Sequence, residues 1–304
     1  MPASFSVGLV GCALACVMAL AGGTARADYA GSARLFVNDT YGDGHDRWNT
    51  GSYQGSYFFS DAPDAGSTLE LRGRGEIVTP WAPSLQEGGD RPYSTLLGFG
   101  AFLHRDVGPV ETRIGGEIAL RGDSTGLPEL QARAHRFFDY DGYDPETRDD
   151  PHLPDRGVMS LEGEVAHTFV LGGAAMVRPY AEARYGDDTR ASLGADIVIG
   201  GGQDAPVWTR DVVTGQLMTY DLPKERGFNL GLVLGGDIQR VTGSAHLPDG
   251  YGVTLEESQS RVRIGLGATY GDAHIFVGQT RLSRQFEEQS EPQRVGMISI
   301  GLGF

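Results

Sequence analysis

The chain has 304 residues, enough for one large domain or two smaller ones, and carries a net charge of −15. That charge excludes nucleic acid as a partner, because phosphate binding needs a positive field. Gly is very abundant at 46 residues and aromatics are plentiful, which points to an exported β protein, either a periplasmic sandwich or an outer-membrane barrel.

Residues 1–27 read as a secretory signal. "VGLVGCALACVMALAGG" is apolar and "ARA" at 25–27 is a small-x-small cleavage site, although no Lys or Arg stands near Met1. The run falls short of the ~20 residues a spanning helix needs. A lipoprotein reading at Cys16 is weaker, since apolar residues continue straight after it. Cys12 and Cys16 would leave with the signal, so the mature chain, 28–304, would hold no disulfide and no thiol chemistry.

From there, period-2 alternation recurs to the end. About twelve strands are expected, at 31–39, 51–60, 67–78, 93–104, 111–121, 158–170, 175–186, 190–200, 226–240, 258–270, 273–285 and 294–304. "GFNLGLVLGG" sets Phe228, Leu230, Leu232 and Leu234 opposite Gly227, Asn229, Gly231 and Val233; "RVRIGLGATY" sets Val262, Ile264 and Leu266 opposite Arg261, Arg263 and Gly265. A sandwich also alternates, but its wet face seldom needs so much Gly. In a small barrel, Gly and long polar chains share a narrow lumen while the apolar face meets lipid. Only a closed sheet satisfies every backbone group in hydrocarbon. The expected fold is therefore all-β: a single antiparallel transmembrane β-barrel of about twelve strands, in the bacterial outer membrane.

With both termini periplasmic, tight turns such as "DAPDAG", "DVGP", "LGG" and "YGD" face inward, and loops at 40–50, 79–92, 122–157 and 241–257 face out. The segment 201–225 breaks this pattern, being long yet periplasmic. Within 122–157, "TGLPELQARAHRFF" has Leu127, Leu130, Ala134 and Phe137 at helical spacing behind Pro128. A short helix is expected there, with Gln131 and His135 on one face. The end, "GMISIGLGF", alternates Ile298, Ile300, Leu302 and a final Phe304; it resembles the signal read by the barrel assembly machinery.

The sequence shows no CxxC and no HExxH. Carboxylates, amides and His135 remain as candidates for chemistry. Asn38 and Asp39 adjoin at the outer end of the first strand, and Asp39, Asp43 and Asp46 supply hard oxygens that suit Ca²⁺. "DTYGDG" is similar to the start of an EF-hand loop, but its third position is Tyr and flanking helices are missing. Polar loops also simply solvate barrel rims, and a surface His is often incidental. Imidazole is nonetheless the side chain best suited to proton transfer near neutrality.

These residues carry a resemblance. "VND", then "DR", then "TG" (Val37 to Gly51), "GDRPYS" (Gly89 to Ser94) and "LPELQARAHRFF" follow the order and spacing of the LpxR-type lipid A 3′-O-deacylases, over nearly the whole mature chain. The resemblance implies a twelve-stranded barrel with a Ca²⁺-dependent site between the wall and an outer-loop helix, acting as a carboxylic ester hydrolase on lipid A of lipopolysaccharide. It carries function over to Asn38, Asp39, Thr50 and His135: His135 as base toward water, Ca²⁺ near Asp39 and Thr50 at the oxyanion, aided by Asn38. Asp141 stands where the family has Glu and would orient His135 or bind a second cation. The segment between Arg47 and Thr50 is also shorter than the family's. The implied partners are lipopolysaccharide and outer-membrane lipid, with the protein a monomer. An outer-membrane phospholipase and a non-enzymatic structural or adhesion barrel are the rival readings.

Overall fold

The alternation along the chain becomes the two faces of a closed wall. The computed structural model describes residues 28–60, 66–81, 90–146, 150–201, 205, 207–220, 227–271 and 273–302. Residues 1–27, read above as a secretory signal, most of the 79–92 loop and the terminal Phe304 lie outside the described residues.

The strands in chain order are β1 (Asp28–Asn38), β2 (Trp48–Ser60), β3 (Ser67–Thr79), β4 (Ser94–Val107), β5 (Val110–Arg121), β6 (Arg156–Ala166), β7 (Phe169–Leu171), β8 (Ala175–Tyr185), β9 (Asp188–Gly200), β10 (Thr209–Arg210), β11 (Leu217–Met218), β12 (Phe228–Ser244), β13 (Ser258–Tyr270), β14 (Ala273–Leu282) and β15 (Gln293–Leu302). The helix α1 spans Leu127–Phe138. Leaving aside the short β7, β10 and β11, twelve strands pair antiparallel into a barrel closed by β6 on β8. The span expected at 158–170 is two elements: β6 ends at Ala166, and β7 turns back onto β8. β12 reaches Ser244, four residues beyond the expected 240, so its outer loop is shorter.

Side chains sort by parity. Phe99, Ile114, Leu161, Leu193, Ile238, Val262, Ile264 and Ile300 are exposed on the outer face, the band that meets lipid. The inner face is charged and filled. Glu70, Arg72, Arg113, Glu162, Glu164, Arg184, Asp196 and Arg263 are all buried. They neutralise one another along the lumen wall: Arg72 Nε donates to Glu70 at 2.9 Å, Arg184 Nη2 to Glu117 at 3.0 Å, and Arg263 Nη2 to Asp196 at 3.0 Å. Burying so many charges is tolerable only because each guanidinium here meets carboxylates.

Residues 207–220 of the anomalous segment 201–225 form a plug. Its β10–β11 hairpin folds into the lumen: Arg210 bonds Asp196 at 2.9 Å and Glu164 at 3.1 Å, and Gln54 brackets it through Arg210 O and Val212 N, both at 3.1 Å. Met218 and Tyr220 then pack on Ala33, Leu35, Val37 and Phe58, an apolar cluster along the first and last strands. The seam between first and last strands is brief. Among the described residues β1 pairs with β15 only at Phe36, Val37 and Asn38, at the end away from the termini.

Candidate functional site

The polar run 38–50 forms a folded loop rather than a solvated tip. Asn38 Nδ2 donates to Thr50 O at 3.0 Å, Asp39 N to the same carbonyl at 3.2 Å, and Thr40 N to Asn38 Oδ1 at 3.0 Å. Asp39 is fully buried. Its Oδ2 accepts from Arg47 N at 2.6 Å, while its carbonyl receives Gly42, Asp43 and Gly44 N–H groups. Asp39 Oδ1 is buried with no hydrogen-bond partner. Burial first, and the nearby Asp46 second, push the Asp39 carboxyl well above the usual carboxylate range. The next strand starts under strain: Trp48, 1 % exposed, has φ 54°, and the β2–β3 register slips between Asn49 and Gly51. That slip leaves Thr50 turned inward, its hydroxyl 2.6 Å from that of Thr79.

Helix α1 begins after Gly126 (φ 74°), has Pro at its start, and ends at Asp139 in the left-handed conformation. Its buried contacts come from Gln131, which accepts from Tyr93 Oη at 2.9 Å and donates to Tyr143 O at 3.2 Å. Tyr93 and Tyr143 stack at 5.4 Å. Thus Tyr93 of the "GDRPYS" segment clamps the helix to the wall. Leu130 and Phe137 are exposed on the side away from this face, and Phe138 is exposed at the helix end.

The helix and the first loop meet. His135 Nε2 stands 3.6 Å from Asp46 Oδ2, the same oxygen that accepts from Tyr143 N at 2.6 Å. Tyr140 Oη lies 3.1 Å from Thr40 Oγ1 and its ring packs edge-on against His135 at 5.2 Å. His135 Nδ1 is buried without a partner. Gly142 makes this closeness possible: a Cβ there would press on Asp46 and lie 2.9 Å from His135 Cε1.

Asn38, Asp39 and Thr50 are therefore in one bonded unit, and loop 39–47 carries that unit to His135 at the same lip of the barrel. Asp141 is exposed and makes no hydrogen bond or ion pair among the described residues; the carboxylate beside His135 is Asp46. Sequence reading had Asp46 as one oxygen donor among several and missed this pairing, because the contact spans 89 residues in sequence. As for a cation, no group of three or more His, Cys, Asp or Glu converges among the described residues. The oxygen that suits a hard ion is the orphaned Asp39 Oδ1.

No protein-family model matches this sequence, and no curated protein matches it. Among solved structures, LpxR from Salmonella typhimurium superposes with a TM-score of 0.75 at 18% identity, covering 90% of this chain and 100% of that one. The translocator domain of the autotransporter NalP from Neisseria meningitidis aligns at TM-score 0.44 and 9% identity, covering 98% of this chain and 96% of that one. The β domain of the Bordetella autotransporter BrkA gives 0.43 and 9%, covering 91% and 99%. This chain is an outer-membrane β-barrel with an LpxR-like fold.

Proposed function

We propose that the protein hydrolyses an acyl ester of lipid A, at the 3′-O position of lipopolysaccharide, in the outer leaflet. The observation that carries this reading is the junction of the Asn38–Asp39–Thr50 unit with the Asp46–His135 pair beside a helix that exposes Leu130, Phe137 and Phe138. His135 acts as general base through the unpartnered Nδ1, taking a proton from water as the water attacks the ester carbonyl. Asp46, facing Nε2, fixes the ring and steadies the imidazolium that forms. Asn38, held by Thr50 O and Thr40 N, is rigidly placed to line the oxyanion side.

Asp39 and Thr50 would hold Ca²⁺, Asp39 through its free oxygen and Thr50 through its hydroxyl. Bound there, the ion would supply Lewis-acid charge stabilisation worth several kcal/mol. The exposed Leu130, Phe137 and Phe138 give the acyl chains of a leaflet-resident substrate an apolar surface beside the site. The substrate then need not leave the bilayer.

Mass spectrometry of lipid A from cells making the wild type or His135→Ala tests this. Loss of one acyl or acyloxyacyl mass with the wild type only is expected; an unchanged profile with both would end the reading. Equal release from phosphatidylethanolamine would assign the site to a phospholipase instead. Chelation of Ca²⁺ in the purified enzyme, with release stopping and returning on readdition, tests the metal.

A further inference from the structure

Within "GDRPYS", Tyr93 clamps the helix and Asp90 ties its own loop, accepting from Trp81 N at 2.8 Å and Arg91 N at 2.7 Å. Arg91 does neither. It is 2 % exposed, donates through Nη1 to Gln285 Oε1 at 2.7 Å, and lies 6.0 Å over the Phe286 ring. It makes no ion pair among the described residues, whereas interior arginines such as Arg72, Arg184 and Arg263 face carboxylates. Burial pulls its guanidinium down to about 10, with Asp90 and Asp188 only partly offsetting that cost.

Arg91 borders a cavity of 60 Å³ under the outer loops, together with Arg190, Arg261, Gln239 and His246. Four buried atoms of these residues have no hydrogen-bond partner: Arg91 Nε, Arg190 Nε, Arg261 Nη2 and Gln239 Nε2. All four are N–H donors. The wall's carboxylates are already engaged, Asp188 with Arg190 at 3.0 Å and Glu76 with His246 at 3.1 Å and with Arg74. His246 adds no acceptor, since its Nδ1 and Nε2 face Ser94 and Glu76. A water needs about 10–15 Å³ on this scale, so the space holds several waters or one tetrahedral oxyanion. Water would satisfy the donors but leave the charge of Arg91 uncompensated in a poorly solvated site.

We propose that this cavity binds one phosphate-sized oxyanion, held by Arg91 with Arg190, Arg261 and Gln239. Gln285 accepts from both Arg91 and Asn49 Nδ2, the latter at 3.1 Å. The anion thereby braces residues 90–93 and 283–292 against the start of β2, next to Thr50. The inference is independent of the ester-hydrolase reading, and its test needs no turnover.

The experiment is calorimetric titration of the refolded mature chain in detergent with inorganic phosphate, at constant ionic strength. The wild type is expected to bind one equivalent, with sulfate competing. Arg91→Met should weaken binding at least tenfold, and Arg105→Met, an exposed site on β4, should leave it unchanged. A soluble sugar phosphate separates the sources: if it binds too, the phosphate is borne on a ligand entering through the loops; if not, the site takes the free ion. No saturable phosphate binding by folded wild type, or equal binding by Arg91→Met, would overturn the proposal. Should Arg91→Met fail to refold, a wild-type crystal soaked in tungstate decides: an anomalous peak beside Arg91 supports the site, and its absence at an otherwise well-ordered Arg91 sinks it.

Discussion

Asp46 and Asp141 offer two carboxylates to one imidazole, and distance chooses between them. Asp46 Oδ2 sits 3.6 Å from His135 Nε2, while Asp141 is exposed. Asp46→Asn is expected to cut acyl release by about 10²–10⁴-fold, the usual range for a positioned proton-transfer group and its support; Asp141→Asn should stay near wild type. Comparable losses from both would return Asp141 to the site. Gly142→Ala forces a methyl between Asp46 and His135, so activity should fall at least tenfold while the heat-modifiable shift of a folded barrel on gels persists. His246 makes a prediction about pH. Burial first, then the Arg91 charge, lowers its imidazole from 6.5 to about 4. Between those values the unfolded chain takes up a proton that the folded loop refuses. Its share of stability is whole above about 6.5 and drains away as acid approaches 4. His246→Gln should flatten the loss of urea resistance across that window; an unchanged slope would count against it. At this scale the sequence made Asn38, Asp39, Thr50 and His135 visible through motif order. It hid the partner of His135, since nothing local distinguishes Asp46 from Asp43 until the helix folds over the loop.

Among elements, strands were the legible part, because period-2 alternation reports directly on which side of a wall a residue faces. The helix was legible for the same kind of reason, with Pro128 and the 3.6-residue spacing marking it. Its docking was not. Tyr93 and Gln131 are 38 residues apart, and only the fold brings the phenol to the amide. Tyr93→Phe deletes that hydrogen bond, a change of about 0.5–1.5 kcal/mol. Limited proteolysis should then nick the 122–155 loop faster, with the barrel core intact and acyl release reduced. Unaltered cleavage would mean that the Tyr93–Tyr143 stack alone holds the helix. The segment 201–225 was readable only as an exception. Its partners, Gln54, Glu164 and Asp196, lie on distant strands, so no periodicity could announce a hairpin inside the lumen.

As a whole molecule, the barrel is occupied within. Its interior ion pairs and the Arg210 hairpin fill the lumen among the described residues, so planar bilayers carrying the protein should show no step conductance. Arg210→Met would leave Glu164 and Asp196 short of a counter-charge, and a loss of about 3–5 kcal/mol should appear as a lower urea midpoint; an unshifted midpoint would mean that the hairpin is not anchored there. One consequence concerns the short junction of β1 with β15. Below Phe36 and Ile298 the first and last strands have no further rungs between them among the described residues. The clasp that makes the cylinder a cylinder is therefore the shelf on which Asn38 and Asp39 stand, with Gln279 Nε2 reaching Gly42 O at 3.0 Å to latch it. Deuterium uptake should advance up this junction from the periplasmic rim and stall at the clasp, so whatever finally unbuttons it dismantles the Asn38–Asp39 corner in the same stroke.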